Sequence, residues 1–115
     1  MIEWTTETAG SDNEILIFHL NGRLDAAECD DLFTVLDGYI DRGHSQLILD
    51  CRDLSFISSA GVGALVRIHT RMRKRGGDVR LARVQGIVAD VLRLVMLDRL
   101  LQLYPSLREA IASYA

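Results

Sequence analysis

Short apolar runs alternate along this chain with segments whose apolar residues recur at helical spacing. Residues 15–20, 46–51 and 79–84 predict buried strands, whereas residues 29–40 predict an amphipathic helix. Strands that alternate with helices form mostly parallel sheets joined by right-handed crossover connections. We therefore expect an α/β fold, with a small, mostly parallel β-sheet of about four to five strands flanked by about four helices.

Polar residues between these segments predict where the first elements begin and end. Residues 4–7 are expected to pair with residues 15–20 as the edge strand of a hairpin. Asp25 is expected to cap the first helix, with Glu28 reaching back to complete a capping box. Gly43 follows the last apolar residue of that helix and is expected to end it.

The second half of the chain predicts further helices. A helix is expected to start at Ser58 or Ser59, one of which caps it, and residues 86–95 predict a short helix. Residues 100–104 favour a last strand, although the same apolar run could extend a helix. Residues 106–109 form a capping box that predicts a terminal helix.

Length and composition limit the class of protein. With 115 residues, of which 49% are hydrophobic, the chain can build one core, so we expect a single domain over residues 1–115. The sequence contains neither a signal-peptide pattern nor an apolar run long enough to span a membrane, which predicts a cytoplasmic protein. Cys29 and Cys51 form no CxxC motif and are expected to be buried thiols.

The distribution of charge argues against nucleic acid as the main partner, because the net charge is -3. Basic residues do crowd positions 67–75, in the second half of a predicted helix. Cations there oppose the negative end of the helix dipole. We therefore interpret this cluster as a solvated helix face, with a partner-docking surface as the alternative.

The passage from a buried strand to two serines is the most informative segment for function. Ser58 and Ser59 follow the strand at residues 47–51 and open the next helix. Free N–H groups at a helix N-terminus stabilise negative charge, so a hydroxyl there is a candidate phosphorylation site. Ser59 is favoured because its neighbour Ala60 is small and leaves it accessible. The alternative is that Ser59 only caps the helix.

Motifs that would support catalysis are missing. Gly61 and Gly63 lack the remainder of a phosphate-binding loop or a dinucleotide fingerprint. Ile57 stands where the nucleophile elbow of a serine hydrolase needs glycine. The three histidines have no metal-ligand spacing and are expected to be packed or solvated side chains. We expect a protein that is not an enzyme and has no cofactor and no metal.

Carboxylates at the predicted strand ends complete the candidate site. In parallel sheets, sites form outside the carboxyl ends of the strands. Asp25 and Asp53 have structural explanations as a helix cap and a turn residue, whereas Asp50 is expected to end its strand close to the serines. The residues alone therefore predict a surface assembled from Asp25, Asp50, Ser58 and Ser59.

Two segments of the chain carry a specific combination of motifs. Residues 21–25 read Asn-Gly-Arg-Leu-Asp, and residues 53–63 read Asp-Leu-Ser-Phe-Ile-Ser-Ser-Ala-Gly-Val-Gly. The first resembles the G-x-L-D element of the STAS domain, the anti-sigma factor antagonist family. The second resembles the phosphorylation loop of that family, D-L-S-x-[IM]-D-S-[ST]-G-[LV]-G. The resemblance extends over nearly the whole chain.

This resemblance implies the STAS fold and a role in partner switching. An antagonist of this family binds an anti-sigma factor that is also a serine kinase, is released when that kinase phosphorylates it, and is restored by a metal-dependent serine phosphatase. By position, Ser59 corresponds to the phosphoacceptor, Asp25 to the aspartate of the first loop and Asp50 to a polar strand-end residue. The implied partner-binding surface comprises Asp25, Asp50, Ser58, Ser59, Ala60, Gly61 and Val62.

Two positions depart from the family pattern. Ser58 occupies the place of an aspartate, and Ala60 occupies the place of a second hydroxyl residue. The missing acid removes a charge that could orient the acceptor hydroxyl, and it makes Ser58 a second candidate acceptor. An alternative is a non-phosphorylated scaffold in another signalling or lipid-transport assembly. Nucleotide binding on the same surface is a third hypothesis.

Overall fold

One sheet of five strands organises the molecule, which a computed structural model describes for residues 2–115. The strands are β1 (Ile2–Ala9), β2 (Ile15–Leu24), β3 (Gln46–Ile57), β4 (Asp78–Ala82) and β5 (Gln102–Tyr104). The helices are α1 (Cys29–Asp41), α2 (Ser59–Lys74), α3 (Gly86–Leu94) and α4 (Leu107–Ala112), with a 3₁₀ turn at Leu97–Arg99. Within the described range, none of the helices is long and apolar enough to cross a membrane.

The strands lie in the sheet in the order in which they follow along the chain. Strands β1 and β2 form an antiparallel hairpin in which Trp4 lies opposite Leu20. The pairs β2–β3, β3–β4 and β4–β5 are parallel. The predicted α/β fold with a mostly parallel sheet is therefore confirmed, as is the edge strand at residues 4–7.

The sheet buries apolar side chains on both of its faces. On the helix face, α1, α2 and α3 cover side chains that include Phe18 and Leu49. On the back face, Ile17 and Ile48 pack with Ala110 of α4. Because successive side chains of a strand point to opposite faces, every second residue returns to the same face. This alternation decides on which face the polar residues of β2 and β3 lie.

Two predicted features of the helix ends are confirmed. Gly43 follows α1 with a φ of 96°, in the left-handed region that glycine adopts without strain. At the start of α4, the Ser106 hydroxyl accepts a hydrogen bond from the Glu109 N–H at 3.1 Å. Residues 102–104 form the last strand, so the favoured interpretation of that apolar run is also correct.

The start of α1 differs from the prediction. The Asp25 carboxylate accepts a hydrogen bond from the Ala27 N–H at 3.2 Å, and the Asp25 carbonyl accepts from the N–H groups of Glu28 and Cys29. An aspartate that binds the backbone two residues ahead forms a turn, which competes with a helix start. The N-cap of α1 is Glu28, which makes no side-chain capping bond, so the predicted capping role of Asp25 is wrong.

Strands β2 and β3 both continue beyond their predicted ends. Strand β2 passes through residues 21–22 to Leu24, and β3 passes Cys51 and runs to Ile57. The added segments pair with each other, since Leu24 lies beside Ile57. The prediction that Asp50 ends its strand is therefore wrong, because Asp50 lies inside β3.

Arginines of α2 form contacts with side chains of α1. The Arg71 side chain contacts both Asp37 and Asp41 of α1 at 2.7 Å, and the Arg67 guanidinium lies 4.3 Å from the centre of the Phe33 ring. These contacts join α1 and α2 along their exposed faces. They support the interpretation of the basic cluster as a solvated helix face.

Candidate functional site

Ser58 occupies the junction between β3 and α2 and caps the helix. Its hydroxyl accepts a hydrogen bond from the Gly61 N–H at 3.2 Å and donates to the Leu24 carbonyl at 3.3 Å. Its own N–H also donates to the Leu24 carbonyl, at 2.9 Å. Both the donor and the acceptor capacity of the Ser58 hydroxyl are thus used in fixing the start of α2.

Ser59 is the first residue of α2 and differs from Ser58 in its surroundings. Its side chain is exposed, and within residues 2–115 its hydroxyl has no hydrogen-bond partner. The first turn of α2 contains no acidic residue that would balance the positive end of the helix dipole. The predicted alternative, in which Ser59 only caps the helix, is wrong because Ser58 is the cap.

The extended ends of β2 and β3 hold this junction in place. The Ser55 hydroxyl donates to the Gly22 carbonyl at 2.9 Å. One residue further along each strand, the Arg23 guanidinium lies 4.2 Å from the centre of the Phe56 ring. These cross-strand contacts, together with those of Ser58, join residues that are more than thirty positions apart. The two motif segments of the sequence therefore form one surface.

Gly61 allows α2 to approach the end of β2 closely. A β-carbon at this position would lie 2.7 Å from the Leu24 carbonyl oxygen and 2.8 Å from Cγ1 of Ile57. Only glycine fits without movement of the backbone. By contrast, Gly63 in the next half-turn has open space around the corresponding position. Gly61 is thus buried and positions the serines.

The remaining predicted residues of the helix start are partly accessible. Ala60 and Val62 are half-buried and pack against the apolar core of the helix face. Asp25 is also half-buried and directly follows Leu24, the residue that binds Ser58. The structure therefore brings Asp25 and the start of α2 to the same edge of the sheet.

Asp50 lies apart from this edge group, on the back face. It is 4% exposed and follows Ile48 by two positions, so it shares the back face with that residue. The guanidinium of Arg83 binds it with two hydrogen bonds, one of them 2.9 Å from Nε to Oδ1. Burial alone would raise the pKa of Asp50, but the hydrogen bonds from Arg83 and His19 outweigh it and lower that pKa.

The sequence interpretation missed a row of charged side chains on the back face. His19 lies between two carboxylates, with Nδ1 2.6 Å from Asp50 Oδ2 and Nε2 2.7 Å from Glu7 Oε1. Together with Arg83, these residues form the back-face charge row. A usable signal was present, since His19 and Asp50 each follow a back-face isoleucine by two positions in paired strands.

The described part of the chain offers little for a metal. Across residues 2–115, no group of three or more His, Cys, Asp or Glu side chains could hold a metal ion. At the junction, the exposed polar group is the Ser59 hydroxyl on the first turn of α2.

Comparison with known proteins identifies the family. A family model described as the STAS domain matches residues 6–110. A protein of Thermotoga maritima, named as a candidate anti-sigma factor antagonist, is 30% identical over 76 residues, which cover 66% of this chain and 67% of that protein. A crystal structure described in the same words, also from Thermotoga maritima, superposes with a TM-score of 0.88 at 23% identity, covering 96% of this chain and 92% of that one.

A further solved structure shares the fold. The phosphorylated form of SpoIIAA, a Bacillus cell fate determinant, superposes with a TM-score of 0.76 at 20% identity. The superposition covers 98% of this chain and 100% of that one. With a family model that matches most of its length and a fold shared with solved relatives, the chain belongs to the STAS domain family.

Proposed function

We propose that this chain is an anti-sigma factor antagonist that works by partner switching. In its unphosphorylated form it binds an anti-sigma factor that is also a serine kinase, so that the sigma factor is released. The kinase transfers the γ-phosphoryl group of ATP to Ser59 Oγ, which loses its proton, and ADP leaves. A metal-dependent serine phosphatase then hydrolyses the phosphate. Family membership and the name of the Thermotoga maritima relative support this proposal.

The proposed role is regulatory and cytoplasmic. The chain is the substrate of the kinase and of the phosphatase, and it is not itself an enzyme. Catalytic groups for both reactions therefore belong to the partners.

The observation that carries the proposal is the contrast between the two adjacent serines. The Ser58 hydroxyl is bound on both sides, to the Gly61 N–H and to the Leu24 carbonyl. The Ser59 hydroxyl is exposed on the first turn of α2. A kinase must reach the acceptor oxygen and take its proton, so the exposed hydroxyl is the better substrate. Ser59 is accordingly the proposed phosphoacceptor.

Phosphorylation would leave the fold intact and act on the partner. A phosphate adds about −1.5 to −2 charges, and the first turn of α2 has no acid that would repel it. The helix dipole favours this charge. A partner docked over Ser59 would instead have to bury the new anion, which costs binding energy unless cations face it. The proposed switch therefore works by desolvation and repulsion at the interface.

The proposed partner surface is the accessible part of the predicted one. It comprises Asp25, Ser59, Ala60 and Val62, whereas the Ser58 hydroxyl is occupied by its bonds to Leu24 and Gly61. Gly61 is buried and contributes by positioning the helix. Asp50 is buried on the back face and bound by Arg83 and His19, so we exclude it from direct contact with the partner.

The proposal is tested by incubating the purified chain with its serine-kinase partner and ATP, followed by fragmentation mass spectrometry. We expect one phosphate on Ser59 in the wild type and in Ser58→Ala, and none in Ser59→Ala. Ser58→Ala is the matched control because it removes the neighbouring hydroxyl. A phosphate on neither serine, or undiminished phosphorylation of Ser59→Ala, would contradict the proposal.

A second candidate function is a constitutive scaffold that needs no phosphorylation. The observation that favours it is an apolar surface on α3 and the turn after it, where Leu94 is 84% exposed and Met96 is 59% exposed. Apolar side chains that remain exposed together mark interaction surfaces. If the chain is a scaffold, Leu94→Asp should lose binding to its partner and Ser59→Asp should keep it. If the chain is a partner switch, Leu94→Asp should keep binding and Ser59→Asp should lose it.

A further inference from the structure

His19 lies between two carboxylates that approach it from different strands. Its Nδ1 is 2.6 Å from Oδ2 of Asp50 in β3, and its Nε2 is 2.7 Å from Oε1 of Glu7 in β1. The imidazole thus bridges the edge strand and the middle of the sheet. This bridge is separate from the Ser59 surface and does not depend on the proposed function.

The two contacts require a particular protonation state. Ionised carboxylates only accept hydrogen bonds, and a neutral imidazole has a single N–H to donate. Asp50 is kept ionised by the bidentate contact with Arg83, and Glu7 is exposed to water. Both ring nitrogens can donate at once only when the ring is an imidazolium. This pair of contacts fits a protonated His19.

The charged groups near His19 come from every neighbouring strand. Glu7 of β1 and Asp50 of β3 touch the ring, and Arg83, after β4, acts on it through Asp50. Glu3 and Asp53 line a cleft of about 190 Å³ that also includes His19. Acidic groups outnumber basic ones around the ring, which favours its charged form.

We propose that protonated His19 is a latch that fastens the edge strand β1 to the middle of the sheet, and that this latch opens when His19 loses its proton. After deprotonation, one of the two contacts would bring a ring lone pair against a carboxylate. Asp50 cannot move away, because Arg83 holds it. Glu7 can move, because it is exposed on a strand that pairs with β2 alone.

The direction of the pH dependence follows from the pKa of His19. Burial alone would lower this pKa, but the hydrogen bonds to Asp50 and Glu7 raise it above its ordinary value of 6.5. A group whose pKa is raised by folding stabilises the native state below the unfolded value and loses that contribution as the pH rises through the folded value. The latch is therefore closed below the ordinary pKa of histidine and opens as the pH rises through the raised pKa of His19.

Long-range ¹H–¹⁵N NMR of the imidazole rings tests the first half of the proposal. We expect both nitrogens of His19 to carry protons at pH 6.5. Titration of His19 at or below its ordinary pKa would overturn the protonated bridge.

Amide hydrogen exchange tests the second half. The ratio of exchange rates between β1 amides and central β3 amides cancels the intrinsic effect of pH. We expect this ratio to rise about five- to tenfold as His19 deprotonates, because loss of a charge-assisted hydrogen bond loosens the edge strand. A ratio that stays constant while His19 titrates would overturn the latch.

Substitution of the mobile partner provides the matched comparison. In Glu7→Gln, the added amide can donate to a neutral ring nitrogen, so the exchange ratio should no longer depend on pH. Glu3→Gln makes the same charge change on the same strand without removing a hydrogen bond to the ring, so the exchange ratio should still depend on pH, with its midpoint at slightly lower pH. Equal behaviour of the two variants would contradict the assignment of Glu7 as the moving partner.

Discussion

Two polar regions of this protein involve strand β3, one at its end and one on its back face. They differ in whether their side chains are already hydrogen-bonded. At the β3–α2 junction, residues 57–62, the Ser59 hydroxyl is exposed without a partner in the described range. In the back-face charge row, the buried Asp50 carboxylate is bound by both Arg83 and His19. Both regions contain residues that could carry chemistry, but the side chains of the charge row bind one another, whereas the Ser59 hydroxyl is left open to another protein.

The difference shows that a switch is distinguished from a structural network less by residue type than by whether its polar side chains already have hydrogen-bond partners within the protein. A buried carboxylate with two cationic partners is costly to break apart and presents little to another protein. A serine at a helix N-terminus with a free hydroxyl stabilises little and can be modified at small cost to the fold. The following substitutions separate these roles by changing stability and phosphorylation independently.

The largest effect on stability is expected for Asp50→Ala. This change leaves the Arg83 and His19 side chains without their shared carboxylate, and loss of these charge-assisted hydrogen bonds is expected to cost about 2–3 kcal/mol. Urea denaturation measures the loss. The kinase should still phosphorylate the folded fraction at Ser59. The matched Ser59→Ala should change stability by less than about 0.5 kcal/mol and abolish phosphorylation. Loss of phosphorylation in folded Asp50→Ala would place Asp50 in the switch.

A pair of glycines in α2 tests how tightly the junction is packed. Gly61→Ala should lower the free energy of unfolding by about 1–3 kcal/mol, because the new methyl group would overlap the Leu24 carbonyl. Gly63→Ala is the control, since open space surrounds that position. It should raise stability by about 0.5–1 kcal/mol through the better helix propensity of alanine. Equal effects of the two changes would contradict the close approach of α2 to β2.

Removal of the Ser58 hydroxyl tests which of the two serines caps α2. Ser58→Ala loses the hydrogen bond to the Gly61 N–H and should cost about 1 kcal/mol of stability. Thermal unfolding followed by circular dichroism measures this cost. Ser58→Ala should lower the free energy of unfolding more than Ser59→Ala does, because Ser59 does not cap the helix. The reverse order would mean that Ser59 is the cap.

The smallest effect is expected when a negative charge replaces Ser59. Ser59→Asp should raise stability by about 0.3–1 kcal/mol at low ionic strength, because the charge lies at the positive end of α2. The gain should shrink in high salt, which urea denaturation at two salt concentrations will reveal. A clear loss of stability would indicate that phosphorylation disrupts the fold, in conflict with a switch that acts at the interface.

The architecture could be predicted because it depends on local patterns. The apolar run at residues 46–51 and the helical spacing of residues 29–40 are visible in short windows of sequence. The junction could be placed for the same reason, since residues 57–62 are contiguous. Gly43 and Ser106 also fulfil roles that follow from their own backbone chemistry.

Features that depend on pairing between distant segments could not be predicted in this way. Strand β3 extends to Ile57 because its second half pairs with β2, and the mixture of polar and apolar residues in that half does not by itself indicate a strand. His19 and Asp50 are 31 positions apart, so their contact emerges only from the register of the two strands. Asp25 was misassigned because a turn and a helix cap use the same hydrogen-bonding side chain.

The central claim is that phosphorylation of Ser59 breaks the complex with the serine-kinase anti-sigma factor without unfolding this chain. Isothermal titration of that partner with the unphosphorylated chain and with the stoichiometrically phosphorylated chain tests the claim most directly. We predict that phosphorylation weakens binding at least about thirtyfold, the cost of burying an unpaired charge, while the circular dichroism spectra coincide. Equal affinities of the two forms would contradict the claim.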